Sequence, residues 1–142
     1  MRKFYQSLLL AGLFVFTLNP MIKGQSLADF EDIMQSIVQA EELSEYRQKY
    51  VKRSKDYAIL KNGRIPAEIN VVHEGRKVNV YSKEDLFMRA LNPFIEVIVI
   101  QVKKKKAHTS YRYGKLIADI SLKKKKGQWK IRRSTYQNGN AF

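Results

Sequence analysis

Asp119 is the residue of this chain whose type and position best fit acid–base chemistry. It is the only acidic residue after Glu96, and it lies in an apolar stretch that begins at Leu116. A carboxylate buried there would have a raised pKa and could act as a general base. However, alternate residues from Leu116 to Leu122 form an apolar face, and Asp119 falls between them. The alternation therefore predicts that Asp119 faces solvent and pairs with a Lys or Arg of a neighbouring strand.

The other residues capable of chemistry do not form a recognisable catalytic or metal-binding pattern. His73 and His108 are far apart and show neither an HxH nor an HExxH spacing. The chain has no Gly-rich phosphate loop and no GxSxG motif, and Ser82 is better explained as a helix cap. The absence of cysteine excludes thiol catalysis, disulfides and cysteine-ligated zinc. The sequence thus predicts no catalytic residue, no metal site and no cofactor.

Positive charge is the strongest chemical signal, and it is confined to the last third of the chain. Residues 97–142 contain thirteen Lys and Arg residues against one acidic residue, whereas residues 25–96 are nearly neutral. Two four-lysine runs, at 103–106 and 123–126, flank a stretch in which tyrosines and basic residues alternate. Such a surface could bind phosphate, lipid head groups or acidic polysaccharide. The alternative is a solvated face whose lysines protect sheet edges and maintain solubility. The candidate anion-binding residues are Lys103, Arg112, Lys115, Lys123, Lys130, Arg132 and Arg133.

The first half of the chain supplies helices and short strands. Ser26 is a predicted N-cap, followed by an apolar stripe of helical period over residues 27–38. A second helix is predicted from residue 43 or 44 to 54. The period then changes to two over residues 65–71, with residues 57–60 as a short partner strand. A further short strand at 77–81 leads into a helix that Ser82 caps and that extends to Leu91.

Three long strands are predicted to close the chain, at residues 94–102, 109–122 and 128–136. Trp129 and Ile131 are expected to point into the core. On the second strand, Tyr111 and Tyr113 share the solvent side with Asp119. In such a meander the two lysine runs lie at opposite ends of the sheet. The predicted class is α+β, with helices packed on one face of a curved, mainly antiparallel sheet.

This order of elements resembles the nuclear transport factor 2-like superfamily, including its small exported bacterial members. The resemblance rests on the two opening helices, the short strands around Val78 and Val80, the helix capped by Ser82, and the closing Gly127-Gln128-Trp129-Lys130-Ile131. It implies a cone-shaped fold. Ketosteroid isomerase, scytalone dehydratase and limonene epoxide hydrolase use this cone for catalysis, while other members only bind or dimerise. A cystatin-like fold, which shares much of this order, is the alternative.

The N-terminus has the three parts of a secretory signal. Arg2 and Lys3 precede an apolar run at residues 8–18, which is shorter than a bilayer span requires. Asn19 and Pro20 then break the helix. We predict a signal peptide over residues 1–24, with cleavage after Gly24, and one α+β domain over residues 25–142, ordered from about 27 to 136. A cysteine-free exported domain fits a bacterial envelope, as a periplasmic or secreted protein.

The sequence therefore predicts an exported, non-catalytic binding protein that uses a basic sheet face. Its partner would be an anionic surface or polymer, or another envelope protein. A membrane surface and a homodimer are left open, and export argues against nucleic acid. The alternative is a protein that binds a small molecule in the cone cavity, or an enzyme of hydrolase or isomerase type acting there.

Overall fold

The computed structural model describes residues 26–51 and 56–138, and the predicted signal peptide lies outside them. The described residues form three helices: α1 (Leu27–Val38), α2 (Glu41–Tyr50) and α3 (Lys83–Met88). They also form eight strands: β1 (Ala58–Leu60), β2 (Val72–His73), β3 (Arg76–Lys77), β4 (Asn79–Tyr81), β5 (Ile95–Lys103), β6 (Lys106–Tyr113), β7 (Leu116–Lys125) and β8 (Gln128–Asn138). None of the three helices has the length and apolar character that crossing a bilayer requires.

Six of these strands form one open sheet in the order β4-β1-β5-β6-β7-β8. β1 runs parallel to both of its neighbours, and the four strands from β5 to β8 form an antiparallel meander. β2 and β3 pair with each other in a separate hairpin. The predicted α+β class and the mainly antiparallel sheet are confirmed, and β5 occupies the central position expected for its apolar sequence.

Helix α1 begins where the sequence predicts, because Ser26 and Asp29 form a capping box. The Ser26 hydroxyl accepts a hydrogen bond from the Asp29 backbone N–H at 3.1 Å, and the Asp29 carboxylate accepts one from the Ser26 N–H. The apolar stripe of α1 is fully buried against the sheet and consists of Phe30, Ile33, Met34, Ile37 and Val38. Helix α2 ends at Tyr50, earlier than predicted, because Val51 has an extended backbone.

Three predictions for the middle of the chain are wrong. The predicted strand at residues 77–81 is interrupted at Val78, and its two parts, β3 and β4, belong to different sheets. Residues 65–71 are not a strand: Ile65, Ile69 and Val71 are buried, but Ala67 is exposed and the segment has no strand partner. Strand β1 pairs with β4 and β5 instead. Helix α3 is capped by Ser82 as predicted, but it ends at Met88, two residues before Ala90 takes a positive φ of 53°.

The most consequential error concerns residues 109–122, which form a hairpin rather than one strand. Gly114 has a φ of +61°, and a Cβ added there would lie 3.2 Å from the Tyr46 hydroxyl oxygen. The same hydroxyl accepts a hydrogen bond from the Lys115 N–H at 3.1 Å. The turn shifts the alternation by one residue, so Tyr111 and Tyr113 are fully buried instead of facing solvent. Asp119 is exposed, as predicted.

Trp129 is buried, with 3% of its surface exposed, which confirms the predicted inward face. Its indole Nε1–H donates to Asp29 at 2.9 Å. Its backbone N–H donates to the Asp32 carboxylate at 2.7 Å, and its carbonyl accepts from the Ser36 hydroxyl at 3.4 Å. Side chains of α1 therefore satisfy the backbone groups of this part of β8, where the sheet would otherwise present a free edge.

Candidate anion-binding site

The two lysine runs lie at the same end of the sheet. Because residues 109–122 form a hairpin, the chain reverses direction once between the runs, at Gly114, and the turn after β5 lies beside the turn after β7. The Lys124 N–H donates to the Lys105 carbonyl at 2.8 Å, which joins the two turns directly. The prediction that the runs lie at opposite ends is therefore wrong.

Four lysines form a row across the end of the meander, which we call the lysine row. Cross-strand pairs join Lys103 to Lys106, Lys106 to Lys123, and Lys123 to Lys130. Since neighbouring strands lie about 4.8 Å apart, the row is about 14 Å long. The adjacent residues Ala107 and Leu122 are buried on the opposite face, so the row stands on the face turned away from the core.

A second row of polar groups lies beside the lysine row. It consists of Gln101, His108, Ser121 and Arg133, which are also cross-strand partners in that order. Lys103, Lys106 and Lys123 of the lysine row and all four residues of the second row line one groove of about 440 Å³. A β-bulge in β8 leaves Arg132 without a cross-strand partner between Ile131 and Arg133, and both arginines are exposed and line this groove.

The groove continues toward the turns and toward β8. A depression of about 830 Å³ is lined by the lysines of the two turns and Gly127. Another, of about 310 Å³, is lined by Lys123, Lys125, Lys130, Ile131 and Arg132. Lys123 lines all three depressions, which therefore adjoin at this residue, and we call them together the basic track. Lys124 also lines the track, but its ammonium group pairs with Asp29 at 3.0 Å. We call the other cationic residues of this track the basic end: Lys103, Lys104, Lys105, Lys106, Lys123, Lys125, Lys126, Lys130, Arg132 and Arg133.

The cations of the basic end have no carboxylate partner within the described part of the chain. No Asp or Glu oxygen in residues 26–51 and 56–138 lies within 4.0 Å of any of them. Like charges directly opposite each other in a sheet are destabilising. The structure thus concentrates positive charge without compensating it internally.

Acidic groups appear on this sheet face only farther from the row. Asp119 accepts hydrogen bonds from His108 Nε2 and, at 3.2 Å, from the Ser110 hydroxyl. The predicted partner of Asp119 was a Lys or Arg. The partner is instead His108, which lies on the same face of the neighbouring strand, two residues from Ser110, the cross-strand partner of Asp119. Farther along, Glu96 is the cross-strand partner of Arg112. These carboxylates bound the basic track on the side toward the sheet centre.

The structure brings together five of the seven predicted site residues. Lys103, Lys123, Lys130, Arg132 and Arg133 all line the basic track. The other two lie elsewhere. Arg112 is six residues along β6 from Lys106, about 20 Å away, and Lys115 lies in the turn at the opposite end of the sheet.

Lys106 completes the lysine row but was not among the predicted residues. Two signals in the sequence could have identified it: the lysine run that contains it, and Gly114, whose position inside an apparent strand marks a turn.

Lys124 is the lysine of the second run that has a structural contact. Its ammonium group donates to Asp29 at 3.0 Å and lies 5.8 Å from the centre of the Trp129 ring. Burial alone would raise the pKa of Asp29, but hydrogen bonds from Trp129, Lys124 and the Ser26 backbone outweigh this effect and lower the pKa below its usual value. This contact joins α1 to the β7–β8 hairpin.

The core side of the sheet contains a cluster of buried tyrosines. The hydroxyls of Tyr57, Tyr111, Tyr113 and Tyr136 are buried. Those of Tyr111 and Tyr136 interact with each other, whereas those of Tyr57 and Tyr113 have no hydrogen-bond partner among the described residues. The Tyr57 ring packs edge-on against Tyr113 at 5.5 Å, and the Arg47 guanidinium lies 4.8 Å from its centroid. Burial raises the pKa of all four phenols, so they remain protonated donors at neutral pH. Within the described ranges, no group of three His, Asp or Glu residues is placed to hold a metal ion.

Comparison with known proteins adds no assignment. No protein-family model matches this chain, and no curated protein or solved structure matches it.

Proposed function

We propose that the protein binds an anionic partner at its basic end. The lysine row carries this proposal: four lysines from four consecutive strands are fixed side by side by strand register. Neighbouring ammonium groups at such distances repel by roughly 1 kcal/mol or less in water. An anion bound along the row would replace this repulsion with attraction, and the sheet holds the lysine backbones in place before binding.

We further propose that this is an exported protein of the bacterial envelope with a nuclear transport factor 2-like fold. Two opening helices, packed beside a meander that ends in the Trp129 strand, support the fold assignment. Bulges at Ile98 in β5 and Arg132 in β8 also support it, because bulges bend a sheet. The charged and apolar pattern of residues 1–24 supports export.

Anion binding can be tested by removing two charges at the centre of the row. The double variant Lys106→Gln/Lys123→Gln should lose most of its retention on immobilised heparin at about 50 mM salt, because ionic contacts to the sulfate groups are stronger at low than at high salt. The matched control, Arg112→Gln/Lys115→Gln, loses the same charge elsewhere on the molecule and should be retained like the original protein. Both variants should melt within a few degrees of it, because exposed charges contribute little to stability. Equal retention of the two variants would contradict the proposal.

We propose a second candidate function on one observation, the buried hydroxyls of Tyr57 and Tyr113, which have no hydrogen-bond partner among the described residues. Each unsatisfied buried group costs about 1–3 kcal/mol, and a small polar molecule beside them would remove that cost. Such a ligand would make the protein a small-molecule binder or an enzyme acting inside the cone. A crystal structure with continuous non-water density at the Tyr57 and Tyr113 hydroxyls would support this candidate. Well-ordered waters alone at these hydroxyls would exclude it.

A further inference from the structure

We infer that the partner of the basic end is a linear phosphate polymer that lies across strands β5 to β8. This inference rests on the proposed anion-binding function and adds the shape and chemistry of the ligand. The shape follows from the lysine row, in which cross-strand pairs connect Lys103 on β5 to Lys130 on β8, and from the three depressions of the basic track, which adjoin at Lys123. A compact anion would contact two or three of these cations, whereas a chain would contact the whole row.

The density of positive charge favours phosphate. Ten cations without carboxylate partners line a track only about 14 Å across. Each strand of a nucleic-acid duplex carries one charge per about 3.4 Å of helix axis, and at that spacing four to five phosphates would lie over the lysine row. Arg132 and Arg133 can each bind a phosphate through two N–H groups. The Ser121 hydroxyl and the Gln101 amide offer further donors in the same groove.

Recognition would involve the phosphate backbone alone. Proteins that bind single-stranded nucleic acid stack the bases on aromatic side chains. Among residues 26–51 and 56–138, no Phe, Tyr or Trp lines any of the three depressions of the basic track, and His108 is engaged with Asp119. The expected ligand is therefore inorganic polyphosphate or a polymer of polyol phosphates.

A lipid surface fits the basic end less well. Peripheral proteins that bind stably to membranes combine basic residues with apolar anchors. The large apolar side chains exposed in the described residues are Leu27, Tyr50, Val72, Phe87 and Met88. None of them lines the basic track.

Chain length provides the test. Binding of the purified protein to pyrophosphate, tripolyphosphate and polyphosphates of about 10 and 50 phosphates is measured by calorimetry, with a poly(glycerol phosphate) arm to distinguish the two polymer sources. Affinity should rise at least tenfold from tripolyphosphate to the 10-mer, because the 10-mer spans the row. From the 10-mer to the 50-mer, the affinity per binding site should then rise only slightly. The slope of log K against log salt should be about −3 for four neutralised phosphates, and Lys106→Gln/Lys123→Gln should reduce its magnitude by about 1.4.

A gain of binding separates this inference from a folding defect. Asp119→Asn removes the carboxylate beside the track and should raise affinity for the polyphosphate 10-mer about two- to threefold. Equal affinity for tripolyphosphate and the 10-mer would overturn the inference while leaving anion binding intact. Tighter binding of oligo(dT) of equal charge, or of phosphatidylglycerol vesicles, would also overturn it. Failure of every anion, heparin included, would instead overturn the proposed function.

Discussion

Replacing Trp129 with Ala should reduce the free energy of unfolding by about 3–5 kcal/mol. Trp129 is 3% exposed. A buried aromatic side chain removes 150–250 Å² from water, worth about 4–6 kcal/mol at 25 cal/mol per Å². Measured truncations of large core aromatics fall at about 3–5 kcal/mol. Since folded domains have about 5–15 kcal/mol of stability in total, a large part of the stability depends on this side chain.

A second substitution separates the contribution of the buried ring to stability from that of its hydrogen bond. Trp129→Phe keeps a large ring but removes the Nε1–H that donates to Asp29, so it should cost about 1–3 kcal/mol. Urea unfolding should be followed by circular dichroism, because Trp129 is the only tryptophan and its removal abolishes tryptophan fluorescence. Phe87→Ala is the matched control, since Phe87 is 85% exposed and should change stability by no more than about 0.5 kcal/mol. A loss under about 1 kcal/mol for Trp129→Ala would refute the assigned burial and the register of β8.

Three further outcomes are expected. Because the pKa of Asp29 is lowered in the folded state, its carboxylate stabilises the fold at pH values above its unfolded pKa of 3.8, and this stability is lost as the pH falls through the folded pKa. Asp29→Asn should therefore reduce the dependence of stability on pH in the acid range. An unchanged dependence would contradict the contact between Asp29 and its partners. Lys126→Gly should raise the free energy of unfolding by up to about 1 kcal/mol, seen as a higher urea midpoint, because Lys126 has a φ of 50° that glycine adopts without strain. The same substitution should weaken polyphosphate binding. A lower midpoint would contradict this reasoning. N-terminal sequencing of the exported protein should begin near Gln25, and a chain that still starts at Met1 would exclude cleavage.

Local signals in the sequence were sufficient for much of the fold. The capping box at Ser26 depends on residues three apart, and the burial of Trp129 depends on alternation within one strand, so both could be read directly. The hairpin at Gly114 could not be read from alternation alone. The apolar positions 116, 118, 120 and 122 were identified correctly, but extending their pattern backwards across the turn inverted every position before it. The predicted exposure of two large aromatic residues, Tyr111 and Tyr113, was the observation that could have indicated this error.

The residues of the candidate site could be predicted from the sequence, but their arrangement in space could not. The lysines that form it are evident from composition. Their placement depends on the number of chain reversals between the two runs, which is a property of the whole meander. One missed two-residue turn was therefore enough to separate the two runs and to include Lys115, which lies at the opposite end of the sheet.

The position of the lysine row also bears on the simpler explanation of edge protection, the alternative to the proposed binding. Lysines protect a sheet when they lie on an edge strand, and of the four lysines in the row only Lys130 lies on one. Lys103, Lys106 and Lys123 lie on β5, β6 and β7, which have a neighbouring strand on both sides. Solubility requires dispersed charge, whereas these residues repel one another in register. Lys104 and Lys126 adopt left-handed backbone conformations, with φ of 48° and 50°, that glycine or asparagine would adopt at lower energy. Both features destabilise the folded protein, and an anionic polymer bound along the row would offset the repulsion.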